Sequence, residues 1–172
     1  MNFKKERLVI ALGVTMAWTM TVCTVSGQNA QDKQSSASNA HEQTLVGVWR
    51  TVVTGRNCQT GDPLGSLPGL FTFNEGGTMA EYGIPPGSSP ALRSPGHGLW
   101  QREHGWQDYS VLFTYYRYNA SGVFIGSQKV TAALELGASG NEFTTRSAVQ
   151  VFDANDNQIG SACATAAGTR FE

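Results

Sequence analysis

Few side chains in this sequence that could carry chemistry stand at a spacing that defines a site. His97 and His104 look like a pair, but His97 ends a proline-rich loop and His104 opens a tight turn, so no shared metal is expected. His97 alone could serve as an acid or base, because an ordinary imidazole titrates near neutrality. Asp153-Ala154-Asn155-Asp156-Asn157 imitates the start of a calcium loop. It has Gln158 where the sharp-turn glycine belongs and Ala164 where the bidentate glutamate belongs, so it reads as hairpin chemistry. Asn119-Ala120-Ser121 matches a glycosylation acceptor, which matters only on a eukaryotic secretory route. No catalytic residue, metal site or cofactor is assigned. The remaining candidates are aromatic and polar tips whose meaning depends on the elements that aim them.

Those elements are strands. Of the 172 residues 15% are charged, 12 basic against 13 acidic, which gives no polycationic face for a phosphate backbone and argues against nucleic-acid binding. Lys4, Lys5 and Arg7 precede an apolar run from Leu8 to Val25 that ends in Ser26 and Gly27, the pattern of a secretory signal peptide over residues 1–30. A retained membrane anchor is the alternative, disfavoured by the threonines in the run and its small-residue ending. Lipidation at Cys23 is disfavoured because Met20-Thr21-Val22 lacks the usual small residue before the cysteine. Residues 31–43 are polar, without hydrophobic period, and are expected to form a flexible linker. Loss of the first 30 residues removes three basic groups and Glu6, leaving 9 basic and 12 acidic side chains, a mildly acidic mature protein with no stable membrane insertion.

From Thr44 onward, Gly, Asn, Asp and Pro punctuate segments with period-two alternation rich in Val, Thr, Phe and Tyr. Eight strands are expected, at about 44–57, 70–75, 78–83, 98–103, 106–118, 123–136, 141–152 and 158–171, in a single domain over 44–172. Tight turns at Gly76-Gly77, His104-Gly105, Ala120-Ser121, Ala138-Ser139 and Asn155-Asp156 make consecutive strands antiparallel. Opposite positions across a hairpin sum to a constant, so each turn fixes which side chains share a face. One face then holds Phe71, Tyr82, Trp100, Tyr109, Val111, Phe113, Tyr115, Arg117, Phe124, Gln128, Val130, Thr145 and Ser147, opposite Gly160, Ala162, Ala164, Ala166 and Gly168. The other face is polar and takes Glu81 and Glu135, which leaves no paired carboxylates inside.

With no helix to cover it, a meander with one apolar face is expected to curl into an eight-stranded, antiparallel, up-and-down closed β-barrel. Cys58 and Cys163 are the two cysteines left after signal removal, and in an oxidising compartment they pair most simply as one disulfide. That bond requires the first and last strands to be neighbours, as closure makes them.

Gly47-Val48-Trp49 at the start of the first strand, with Arg170 near the end of the last, resembles the calycin superfamily, the lipocalin and fatty-acid-binding-protein-like barrels. The resemblance implies that Trp49 closes one end while Arg170 packs on its indole. The physical basis is a planar guanidinium lying on an electron-rich ring. The long connections 58–69 and 84–97 then gather at the other end, the expected mouth.

Small residues on the last strand leave room inside, and polar tips on Tyr82, Tyr109, Tyr115 and Gln128 need partners there. The preferred expectation is a secreted or periplasmic lipocalin-like barrel. It would bind a small apolar or aromatic molecule through Phe71, Tyr82, Trp100, Tyr109, Phe113, Tyr115, Arg117 and Gln128. Two alternatives stand beside it: a barrel cyclase or isomerase for a small hydrophobic substrate, and a filled-core protein acting through its surface, with Tyr116, Tyr118, Leu112 and Phe152 on the outer face.

Overall fold

A computed structural model describes residues 44–171. The expected signal segment, Cys23 and the linker 31–43 lie outside the described residues. The described chain forms eight strands: β1 (Gly47–Arg56), β2 (Pro63–Phe73), β3 (Thr78–Gly83), β4 (Gly96–His104), β5 (Asp108–Tyr118), β6 (Phe124–Leu136), β7 (Glu142–Phe152) and β8 (Gln158–Arg170). They pair in sequence order and close through β1 and β8 into an antiparallel barrel. A short 3-10 turn at Pro90–Leu92 interrupts the connection between β3 and β4.

Closure follows from the pattern of the later strands. Tyr109, Val111 and Phe113 of β5, Val130, Ala132 and Leu134 of β6, and Phe143 and Val149 of β7 are buried together, while alternate neighbours face solvent. In the β1–β8 pair, Trp49 stands opposite Arg170 and Arg56 opposite Cys163. Just past β1, Cys58 reaches Cys163 with Cα atoms 5.3 Å apart, a covalent staple across 105 residues of sequence. On the chain-entropy account a loop of that length stabilises by about 4 to 5 kcal/mol.

Three local features depart from the sequence reading. First, β2 begins at Pro63, so much of the expected 58–69 connection is strand. Over 63–68 it pairs with β1 alone, since the β2–β3 ladder starts at Gly69, and Pro68 is tolerated where one side of the strand has no ladder.

Second, the β2–β3 turn holds one more residue than a two-residue loop would. Asn74 N–H donates to the Thr78 carbonyl at 2.9 Å, Gly76 and Gly77 adopt left-handed φ of 82° and 86°, and Phe73 pairs with Met79. The added residue inverts β3. Met79, Glu81 and Gly83 point inward, and Tyr82, opposite the exposed Leu70, points outward.

Third, a bulge in β6 pairs Gly126 with Arg117 but Phe124 with Tyr118. Gly126 has φ 128°, and a Cβ there would run into the Phe152 carbonyl, so only glycine fits. The bulge turns Phe124 from the expected inner face to the outside, edge-on to Tyr116 and Tyr118.

Candidate functional site

The two ends of the barrel are built differently. At the end where β1 starts and β8 finishes, Trp49, Phe73, Tyr109, Phe143, Leu45 and Leu136 are fully buried. Phe143 meets the Trp49 ring edge-on at 5.0 Å, and Trp49 Nε1–H donates to the Leu45 carbonyl at 3.0 Å. The Arg170 guanidinium carbon lies 4.3 Å from the Trp49 ring centroid. Its N–H groups donate to the carbonyls of Val46 (2.8 Å), Thr44 (2.7 Å) and Gly140 (2.7 and 3.1 Å). Among the described residues its N–H groups meet only backbone carbonyls.

Above that plug lies a cavity of about 200 Å³. Its wall is largely aliphatic and aromatic, with Phe71, Val111, Phe113, Val130, Ala132, Leu134, Val149, Ala162, Ala164 and Ala166. The small side chains of β8 are what leave it open, because Ala162, Ala164 and Ala166 face larger residues of β7 without filling the space between them.

Toward the mouth the lining becomes polar. Glu81, Arg93, Tyr115 and Gln128 all border the cavity. Glu81 is only 5% exposed and forms an ion pair with Arg93, which is 14% exposed. Arg93 stands on the strap between β3 and β4. It donates to the Gly83 carbonyl at 2.8 Å, donates to the Ser94 carbonyl at 3.2 Å, and places its guanidinium carbon 3.6 Å from the Tyr115 ring centroid. Tyr115 in turn donates its hydroxyl to Gln128 Oε1. Among the described residues the Gln128 amide nitrogen and the Ser147 hydroxyl form no hydrogen bond, so both offer polar contacts to the cavity.

Burial sets the electrostatics of this cluster. Desolvation pushes the Glu81 carboxyl above its ordinary value, against the opposing pull of the Arg93 charge and hydrogen bond. Desolvation likewise pushes the Tyr115 phenol upward, partly offset by Arg93. The closing pair behaves in the same sense, since burial lowers the Arg170 guanidinium.

The structure divides the sequence-derived candidates. Phe71, Phe113, Tyr115 and Gln128 line the cavity. Tyr109 and Trp100 instead belong to the plug. Their rings pack 5.7 Å apart, Tyr109 donates to the Trp106 carbonyl at 2.9 Å, and Trp100 Nε1 donates to the carbonyls of Asn74 and Thr78 at the β2–β3 turn. Trp100 was expected near the mouth; the turn that holds it is at the closed end. Tyr82 faces out through the inversion of β3. Arg117 sits at the mouth end of β5 in a bridge with Arg93, outside the cavity lining, with Nη1 buried and unpartnered.

Glu81 reverses its expected place, and Arg93 lies on a proline-rich strap whose sequence carries no period that would aim it. The signal for Glu81 was present in Phe71, Phe73 and Met79, an apolar alternation that continues into Glu81 only if the Gly-Gly turn holds an odd residue. His97 and His104 are exposed on β4, and no cluster of metal-ligating side chains occurs among the described residues. Asp153 closes the β7–β8 hairpin by accepting from Asn155 N and Asn157 N, both at 2.9 Å.

No family model matches this sequence, and no curated protein matches it. The fold and the lumen are therefore the ground on which function rests. The barrel is compatible with a calycin-like fold, the disulfide is compatible with an oxidising compartment, and no helix among the described residues is long and apolar enough to cross a membrane.

Proposed function

We propose that this protein is a secreted or periplasmic, calycin-like barrel that holds one small, largely apolar molecule in its lumen. The observation that carries the reading is the cavity itself, about 200 Å³ of apolar space with polar groups gathered at one end. An engineered protein cavity of about 150 Å³ suffices for benzene, so the volume suits a compact one- or two-ring molecule rather than a long chain. Apolar walls supply the binding free energy, and Gln128, Ser147 and Tyr115 orient a single polar substituent. Burial of the Trp49 end leaves the strap side as the route of entry. The Lys4, Lys5 and Arg7 cluster followed by an apolar run, together with the disulfide, supports export.

Titration of the purified oxidised protein with indole, followed by ligand-detected NMR, tests the reading. Ala164→Leu places a larger side chain in the lumen and is expected to weaken indole binding at least tenfold, whereas Leu112→Ala on the outer face leaves it within twofold. Equal binding by the two variants would place the indole elsewhere and remove the support for a lumenal site.

A further inference from the structure

The mouth cluster contains one group that the architecture does not require. Arg93 already fixes the strap through the Gly83 carbonyl and by lying on the Tyr115 ring. A carboxylate beneath it adds an ion pair whose desolvation roughly cancels its attraction, and a hydrophobic side chain of similar volume would fold as well. Yet Glu81 faces the cavity, and β4 makes room for it. Gly96 lies opposite, and a Cβ there would overlap the Glu81 carboxylate. Only Oε1 is engaged by Arg93; Oε2 forms no hydrogen bond among the described residues. Across the same lumen, Gln128 is held through its Oε1 by Tyr115, which leaves its N–H₂ as a fixed donor. The remaining lining is mostly apolar and carries no charge. A base, a hydrogen-bond donor and a largely apolar chamber are the parts that proton transfer next to a carbonyl needs.

Resting on the lumen as a ligand chamber, we propose that Glu81 is a catalytic base and acid, and that the barrel isomerises small uncharged cyclic ketones with a β,γ double bond. The Glu81 carboxylate takes a proton from the carbon between the carbonyl and the double bond. The electron pair of that C–H bond forms a new C–C double bond, and the carbonyl oxygen becomes a dienolate oxygen that accepts from the Gln128 amide. Neutral Glu81 then returns the same proton to the γ carbon, which leaves the conjugated ketone and the original carboxylate. Nothing is oxidised or reduced and no co-reactant is consumed. The substrate is uncharged because Glu81 and Arg93 neutralise one another and no other residue of the lining carries a charge. Burial, which raises the carboxyl above its ordinary range, makes its anion a stronger base near neutral pH.

The test uses the oxidised protein and cyclohex-3-en-1-one, with the absorbance of the conjugated product as readout and ligand-detected NMR to measure binding. The expected acceleration is about 10²- to 10⁴-fold over acetate at equal concentration. Glu81→Gln is expected to bind the ketone within twofold of the unsubstituted protein and to lose the acceleration. Gln128→Leu is expected to slow turnover tenfold or more and to weaken ketone binding, because it removes the donor to the carbonyl oxygen. The rate of the unsubstituted protein should rise with pH as Glu81 ionises, with a midpoint above 4.5. Where Glu81→Gln fails to fold, the Gln128→Leu variant decides the matter: turnover at the unsubstituted rate overturns the isomerase. Unsubstituted protein that binds the ketone but converts it no faster than acetate overturns the isomerase and leaves the binding chamber standing. Failure to bind the ketone while indole still binds overturns the isomerase alone, and failure to bind either overturns both.

Discussion

Each end of the barrel holds an arginine on an aromatic ring, and the two stacks do different work. Arg170 lies 4.3 Å from the Trp49 centroid and, among the described residues, donates only to backbone carbonyls and has no carboxylate partner. Arg93 lies 3.6 Å from the Tyr115 centroid, also holds a carbonyl, and in addition meets the buried Glu81 at the edge of a cavity. The same guanidinium–ring contact therefore serves as closure at one end and as the roof of a polar site at the other. The difference lies in what surrounds the ring. Phe143, Phe73 and Leu136 fill the space around Trp49, whereas alanines on β8 leave it open below Tyr115.

That contrast gives each end its own response to substitution. The largest effect belongs to the staple near the mouth: Cys163→Ser should cost about 4 to 5 kcal/mol by the loop-closure estimate, measured by urea unfolding. At the plug, Trp49→Ala should cost about 3 to 5 kcal/mol by removing a fully buried ring, while the folded fraction still binds indole. Retained stability in Trp49→Ala would erase the distinction between the ends.

At the mouth, Arg93→Met should destabilise by about 1 to 3 kcal/mol because it strands Glu81, and Glu81→Met in the same chain should restore most of the loss. At the plug no partner substitution can rescue Arg170→Met, since its acceptors are backbone. A non-rescued mouth pair would make the two arginines equivalent.

A smaller effect concerns pH. Because the native state holds the Glu81 proton more tightly than the unfolded chain, its contribution to stability is greatest below the ordinary value of 4.5. That contribution is lost as pH rises through the elevated native value. Glu81→Gln should remove that segment of the pH–stability curve. The smallest effect is expected on the outer face, where Leu112→Ala should change stability by no more than about 0.5 kcal/mol.

The plug and the closure were legible from sequence because they rest on sums of positions. Trp49 and Arg170, with the β7–β8 turn, fix the closing register, and β5 to β8 keep the expected face even where their turns are longer, since each gains an even shift. The mouth was not legible for the same reason in reverse. One extra residue in the Asn74–Thr78 turn inverts β3 and exchanges Tyr82 for Glu81, and one bulge at Gly126 turns Phe124 outward. Arg93 lies in a proline-rich strap with no period to aim it, and its partners come from β3 and β5. A site assembled from a strap and a slipped register leaves no pattern in a single strand.

The most direct measurement exploits adjacent alanines. Methyl NMR of alanine-labelled protein titrated with indole should move the lumen-facing methyls of Ala132 and Ala166, while those of outward-facing Ala133 and Ala167 stay fixed. Shifts confined to Ala133 and Ala167, or none at saturating indole, would contradict a ligand chamber inside the barrel.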